Sequence, residues 1–239
     1  MVTLVIATHN THKVGEIRAI LGEEFHCLSL ADFADPPEVV EDAGTFAGNA
    51  MKKALALAAW LSRTQPAIHA GADGKVFALA DDSGLEVDAL GGAPGVHSAR
   101  FAALDTGKPG NSPTADNNAK LLRLLANVPL AQRTARFRCV LAVTPVLRPE
   151  PGSASPVCLA DEAELRTELF EGACEGRIVS APQGKGGFGY DPLFVPAGHD
   201  QTFGELPEEV KNQVSHRAKA LAKMKTWLQA VRGAGRSST

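Results

Sequence analysis

The sequence predicts a mixed α/β domain with two lobes. Three observations carry that reading. Short, β-branched apolar runs alternate along the chain with amphipathic stretches rich in Ala and Leu. The length of 239 residues suits one large domain or two small ones with ample core. Hydrophobic content of 44% and charged content of 21% are those of an ordinary globular chain.

The elements follow in order. "VTLVIA" (2–7) is short, apolar and β-branched, and reads as a buried strand. "NTHKVGEIRAILG" then places Val14, Ile17, Ile20 and Leu21 on one helical face and stops at Gly22. "HCLSL" (26–30) is a second strand. Thr45 is an N-cap for a long helix through Leu61. A polar connection (62–75) leads to strand 76–80, which ends in a turn at Asp81-Asp82. Residues 91–113 are loop-rich, and a helix runs from Thr114 to Leu125. "RTARFRCVLAV" (133–143) is a strand with Arg136 and Arg138 alternating outward. "RPEPGSASP" (148–156) reads as a hairpin loop, with strand-like residues resuming after it. Strand candidates (168–179), the cluster "GKGGFGYD" (184–191) and a helix over 211–231 complete a single two-lobed domain, 1–231. Residues 232–239 are expected to be a disordered tail.

Several classes are excluded by composition. The formal net charge is −3, so no global basic field holds a nucleic-acid backbone. Cys27, Cys139, Cys158 and Cys174 are widely spaced, without zinc-type spacing, and read as reduced thiols of a cytoplasmic protein. The apolar N-terminal run is too short, and lacks the basic lead-in, for a signal peptide. No uncharged apolar stretch approaches the roughly 20 residues of a membrane span.

Candidate chemistry sits at the junctions of elements. Asp81 and Asp82 close an apolar run and precede Ser83-Gly84. They read either as an Asp-containing strand end or as a metal or acid/base site delivered by a strand. "THNTHK" (8–13) joins a strand to a helix N-terminus, where outward N–H groups suit an anion. Thr8 and Asn10 add hydrogen-bonding groups and Lys13 a charge; the competing reading is ordinary capping by Asn10 with Lys13 solvated. Glu41 and Asp42 stand just before the Thr45 helix, where acidic residues are common for dipole reasons alone. With Asp81 and Asp82 they supply the oxygen ligands a hard cation takes. "GGFGYDPLF" (186–194) sets glycines around Phe188, Tyr190 and Asp191, which suits either a stacked nucleobase or an aromatic corner in the core. Lys211, His216, Arg217 and Lys219 lie near a helix start, where cations oppose the dipole; that points to an anionic or acceptor-rich ligand, while a solvated basic face is the default reading of any single one of them.

Taken in order, "THNTHK", "EDAGTFAGNAMKKA", "LADDSGLEVDALGGAPGVHSAR", "GFGYDPLF" and "EEVKNQVSHRAKAL" resemble the motifs of the inosine triphosphate pyrophosphatase family, also called XTP/dITP diphosphatases. The resemblance runs from residue 2 to about residue 229. It implies Mg²⁺-dependent hydrolysis of ITP, dITP and XTP to monophosphate and pyrophosphate. It also implies a homodimer, with an elongated central mixed sheet flanked by helices and two lobes around a substrate cleft. Carried over by position, Thr8, Asn10 and Lys13 bind phosphates. Glu41 and Asp82 hold Mg²⁺, and Asp82 also serves as base or orienter of the attacking water. Ser83 contacts substrate; Phe188, Gly189, Tyr190 and Asp191 frame the base; Lys211, His216 and Arg217 complete the pocket. Asp81 is left assisting through water or structural. The segments 62–76 and 145–166 are longer than the family pattern, and His97 stands where the family often has tyrosine. Two rival functions differ in class: a house-cleaning pyrophosphatase for other modified nucleotides, and a non-catalytic nucleotide-binding protein. The "GFGYD" and "SHR" blocks argue against the first. Glu41, Asp82 and Lys13 argue against the second.

Overall fold

The computed structural model describes residues 1–69, 75–107, 109–148 and 156–234. A six-stranded mixed sheet has the order β2-β1-β3-β4-β5-β6, with β1 Val2–Ile6, β2 Phe25–Ser29, β3 Val76–Val87, β4 Thr134–Pro145, β5 Glu168–Ile178 and β6 Phe194–Pro196. β1 pairs in parallel with both β2 and β3, and β5 pairs antiparallel with β6. Helices are α1 Thr11–Leu21, α2 Phe46–Thr64, α3 Thr114–Leu124, α4 Pro156–Leu165, α5 Glu208–Val214 and α6 His216–Ala234.

The expected ends of α1 and the expected start of α2 hold for the expected reasons, while α2 runs past the expected Leu61 to Thr64. Asn10 caps α1, its Oδ1 accepting from the His12 and Lys13 amides. Gly22 ends α1 at φ +67°, a left-handed value that costs glycine little. The Thr45 hydroxyl accepts from the Gly48 amide at the start of α2.

Three expectations need correction. β3 does not turn at Asp81-Asp82; it runs on through "DDSGLEV" to Val87. Lysine partners (below) offset part of the cost of leaving the two carboxylates inside, so the strand continues past them rather than delivering them to water. The stretch after the 148–156 loop is the helix α4, not a strand. Its Ala, Leu and Glu content favours a helix over the strand-like look of Val157-Cys158. The C-terminal helix is two helices. Ser215 adopts an extended conformation, and its hydroxyl accepts from the Ala218 amide, so it ends α5 and caps α6. β6, Phe194–Pro196, follows the glycine cluster 184–191 and is a strand not expected from the sequence. Helix α6 reaches Ala234, and residues 235–239 of the expected tail lie outside the described residues, as does 149–155 of the 145–166 segment.

The chain divides into two compact units. The first comprises 1–82, 140–170 and 220–239; the second comprises 83–139 and 171–219. The first has a core of Val5, Leu57, Leu61, Ala78 and Val146, into which α2 buries its apolar face. Trp227 of α6 meets Phe77 edge-on and Phe170 at a tilt. The second has a core of Leu85, Leu121, Phe137, Ile178, Phe194 and Phe203, with Phe194 against both other phenylalanines. None of the described helices is long and apolar enough to cross a membrane.

Candidate active site

In the first unit, β3 brings Asp81 and Asp82 to two different lysines. Adjacent strand residues point to opposite sides. Asp81 therefore meets α1, where Lys13 Nζ donates to its Oδ1 at 2.5 Å. Asp82 meets α2, where Lys53 Nζ donates to its Oδ1 at 3.3 Å and Asn49 Nδ2 donates to its Oδ2 at 3.1 Å. Lys53 also donates to Glu41 Oε1 at 2.8 Å and to the Asp81 carbonyl oxygen at 2.8 Å. Glu41 and Asp82 thus converge on one ammonium. Asp42 lies outside this arrangement, exposed and paired with Lys52.

Electrostatics set the character of the cluster. Desolvation pushes the Asp82 carboxyl above its ordinary value of 3.8, and the attraction of Lys53 and Lys13 only partly offsets it. Burial alone would lower the Lys53 pKa, but the charges of Asp82 and Glu41 outweigh it and hold the ammonium. Sequestering ions costs several kcal/mol each, and pairing them is a poor route to stability. A buried carboxyl shifted by desolvation and specific charge partners marks a candidate functional site.

Asn49 and Lys53 were not foreseen. Both are buried on α2, four residues apart and so on one face. Their signal was a polar pair set into the apolar stripe of Phe46, Ala50, Ala54 and Leu57; a lysine in an Ala-rich helix otherwise reads as solvated. Asn49 also ties two segments together. Its Oδ1 accepts from the Ala43 amide, beside Glu41, while its Nδ2 holds Asp82. These two bonds fix the amide orientation. At the start of α1, Thr8 Oγ1 accepts from the Asn10 amide, and the Asn10 oxygen is committed to capping, as the competing reading had it.

The second unit gathers the remaining candidates. Asp191 Oδ2 accepts from Lys211 Nζ and from the Phe188 amide, both at 2.7 Å. Gly187 must be glycine: its φ is +69°, and a Cβ would stand 2.2 Å from Asp191 Oδ2. Phe188 lies partly exposed with two cations on its ring, Lys211 at 4.8 Å and Arg217 at 5.9 Å from the centroid. Arg217, only 1% exposed, donates to Ser83 Oγ at 3.4 Å. His216 stacks on Phe137 at 4.9 Å between centroids. Tyr190 is 4% exposed, within the apolar core, and its hydroxyl donates to the Ser98 carbonyl oxygen. That placement is the aromatic-corner reading of Tyr190; the ring with an accessible side is Phe188. Asn118 of α3 holds the loop from the other end, donating to the Gly189 carbonyl oxygen. Lys219 turns away, to the Ala173 carbonyl oxygen.

The Ham1 family sequence profile matches residues 4–227, which include every one of these groups. The chain belongs to the Ham1 family. Among its relatives, the dITP/XTP pyrophosphatase of Geobacillus kaustophilus (strain HTA426) is 45% identical over 239 residues, covering 99% of this chain and 100% of that protein. The dITP/XTP pyrophosphatase of Desulforamulus reducens is 48% identical over 221 residues, covering 92% of each. The solved structure of a HAM1 protein from Coxiella burnetii is 33% identical, with a TM-score of 0.72, covering 96% of this chain and 100% of that one. The relationship expected from the motif order is therefore met across nearly the full length.

Among the described residues, no group of three or more His, Cys, Asp or Glu side chains could hold a metal alone. Glu41 and Asp82 do form a hard, all-oxygen pair. That suits Mg²⁺, which takes one or two carboxylates and completes its shell with water and phosphate oxygens.

Proposed function

We propose that this protein hydrolyses the non-canonical purine nucleoside triphosphates ITP, dITP and XTP to monophosphate and pyrophosphate, acting in the cytoplasm as a homodimer. The observation that carries the reading is the convergence of Glu41 and Asp82 on Lys53, beside the Lys13–Asp81 pair, in a full-length relative of dITP/XTP pyrophosphatases. Lys13, the Thr8 hydroxyl and the Asn10 side-chain amide are donors for the phosphates. Glu41 and Asp82 would hold Mg²⁺, which when bound neutralises phosphate charge. Asp82 orients the attacking water and accepts its proton. Attack at the α-phosphorus forms one P–O bond and breaks that to the bridging α–β oxygen, releasing pyrophosphate. Positioning and charge stabilisation supply most of the acceleration.

The base is read by the groups around Phe188. Its ring, already beside Lys211 and Arg217, stacks with any purine and so cannot choose among them. Arg217 is donor-only and permanently charged, and His216 can donate from a ring nitrogen. Both suit the 6-oxo acceptor of hypoxanthine and xanthine and oppose the 6-amino group of adenine. Ser83, on Arg217, helps aim the guanidinium. Guanine also carries a 6-oxo group, so its exclusion belongs to groups that read N1 or the 2-position. The test is kcat/KM for ITP, dITP, XTP, GTP, ATP and dUTP with Mg²⁺ and with chelator. The reading requires the first three to exceed the others, and activity to vanish without metal. Preference for dUTP, or binding without turnover, would replace it with one of the rival functions.

A further inference from the structure

The Lys53 ammonium has three N–H donors and no acceptor. Each faces a protein oxygen: Glu41 Oε1, the Asp81 carbonyl and Asp82 Oδ1, at 2.8, 2.8 and 3.3 Å. Two of those oxygens belong to the carboxylates assigned to the divalent ion. An ammonium and a divalent cation compete for the same carboxylate charge and repel each other at contact distance. Conversely, a lysine with every donor spent on protein has none for a phosphate.

We propose that Lys53 is a tethered counterion that exchanges places with the metal. It neutralises Glu41 and Asp82 in the metal-free protein. The divalent ion displaces it from the two carboxylates, and the two released donors pass to the phosphates that arrive with the ion. The proposal rests on the assignment of Glu41 and Asp82 as metal ligands.

The surroundings permit the exchange. Lys53 sits on a flexible four-carbon stem, and its bond to the Asp81 carbonyl involves neither carboxylate. Asp82 need not move, because Asn49 holds Oδ2 while the departing lysine uncovers Oδ1. Exchange couples the two ligands. Metal alone must expel Lys53 with nothing to receive it, whereas metal with a triphosphate gives it a new anionic partner. Free Mg²⁺ therefore binds weakly, and nucleotide raises its affinity.

Calorimetric titration of Mg²⁺ into the nucleotide-free protein tests this. Lys53→Met should tighten Mg²⁺ binding by roughly tenfold or more, the effect of removing a like charge from the site. Affinity equal to or below that of the wild type would overturn the counterion role. Asp82→Asn separates the two ideas: it should abolish Mg²⁺ binding, and retained binding would instead overturn the ligand assignment. If Lys53→Met does not fold, amine acylation of the wild type read by mass spectrometry replaces it. Mg²⁺ without nucleotide should raise the labelling of Lys53 while the exposed Lys185 stays constant. Labelling of Lys53 unchanged at saturating Mg²⁺ would likewise overturn the proposal.

Discussion

Asp82 concentrates the conflict between stability and chemistry. Its folded-state pKa is raised by desolvation, with Lys53 and Lys13 pulling the other way. Between its ordinary value of 3.8 and that raised value, the folded state binds the proton more tightly than the unfolded chain. Stability from this group is therefore lost as pH rises through that window. In metal-free protein, melting curves should show Asp82→Asn gaining on the wild type as pH rises through it; a variant that instead loses ground to the wild type over that window would give the shift the wrong sign. The same substitution should remove on the order of a thousandfold or more of kcat, since a metal ligand is worth several kcal/mol. Asp81→Asn should mainly raise KM, because it releases Lys13 rather than the metal. Steady-state kinetics of both variants decide this, and a dead Asp81→Asn with an active Asp82→Asn would reverse the roles. For the base, Arg217→Ala should narrow the ITP/ATP ratio of kcat/KM roughly tenfold, the cost of an unpaired buried donor. Tyr190→Phe should leave that ratio unchanged and lower the melting temperature by a few degrees, because it strands the Ser98 carbonyl.

At the scale of elements, the sequence spoke most clearly where local chemistry decides. The Asn10 and Thr45 caps and Gly22 stop depend on a few neighbouring atoms, and those boundaries came out as read. What failed depended on partners distant in sequence. Two adjacent carboxylates look like a strand end until Lys13 and Lys53 arrive from two helices to keep them inside. Ser215 looks like mid-helix until its hydroxyl is seen capping α6. Tyr190 could stack on a base or plug the core, and only packing against the second unit's aromatic cluster separates these. The glycine cluster yields its own prediction. Gly187→Ala places a methyl against Asp191 and forces a left-handed backbone on alanine, so the Phe188 loop must shift. KM for ITP should rise in Gly187→Ala while Mg²⁺ binding to the nucleotide-free protein stays as in the wild type; an unchanged KM would remove this loop from base recognition.

For the whole molecule, the account assigns phosphate and metal chemistry to groups of the first unit and base reading to groups of the second. Light scattering on the purified protein checks the proposed homodimer, which requires twice the 25.0 kDa chain mass. The central claim is that Asp82 directs water to the α-phosphorus of a 6-oxopurine triphosphate. Its most direct test is chromatography of the products of ITP with Mg²⁺, for the wild type and Asp82→Asn. The account predicts IMP and pyrophosphate from the wild type and almost no product from the variant. IDP with orthophosphate, or full turnover by Asp82→Asn, would contradict it.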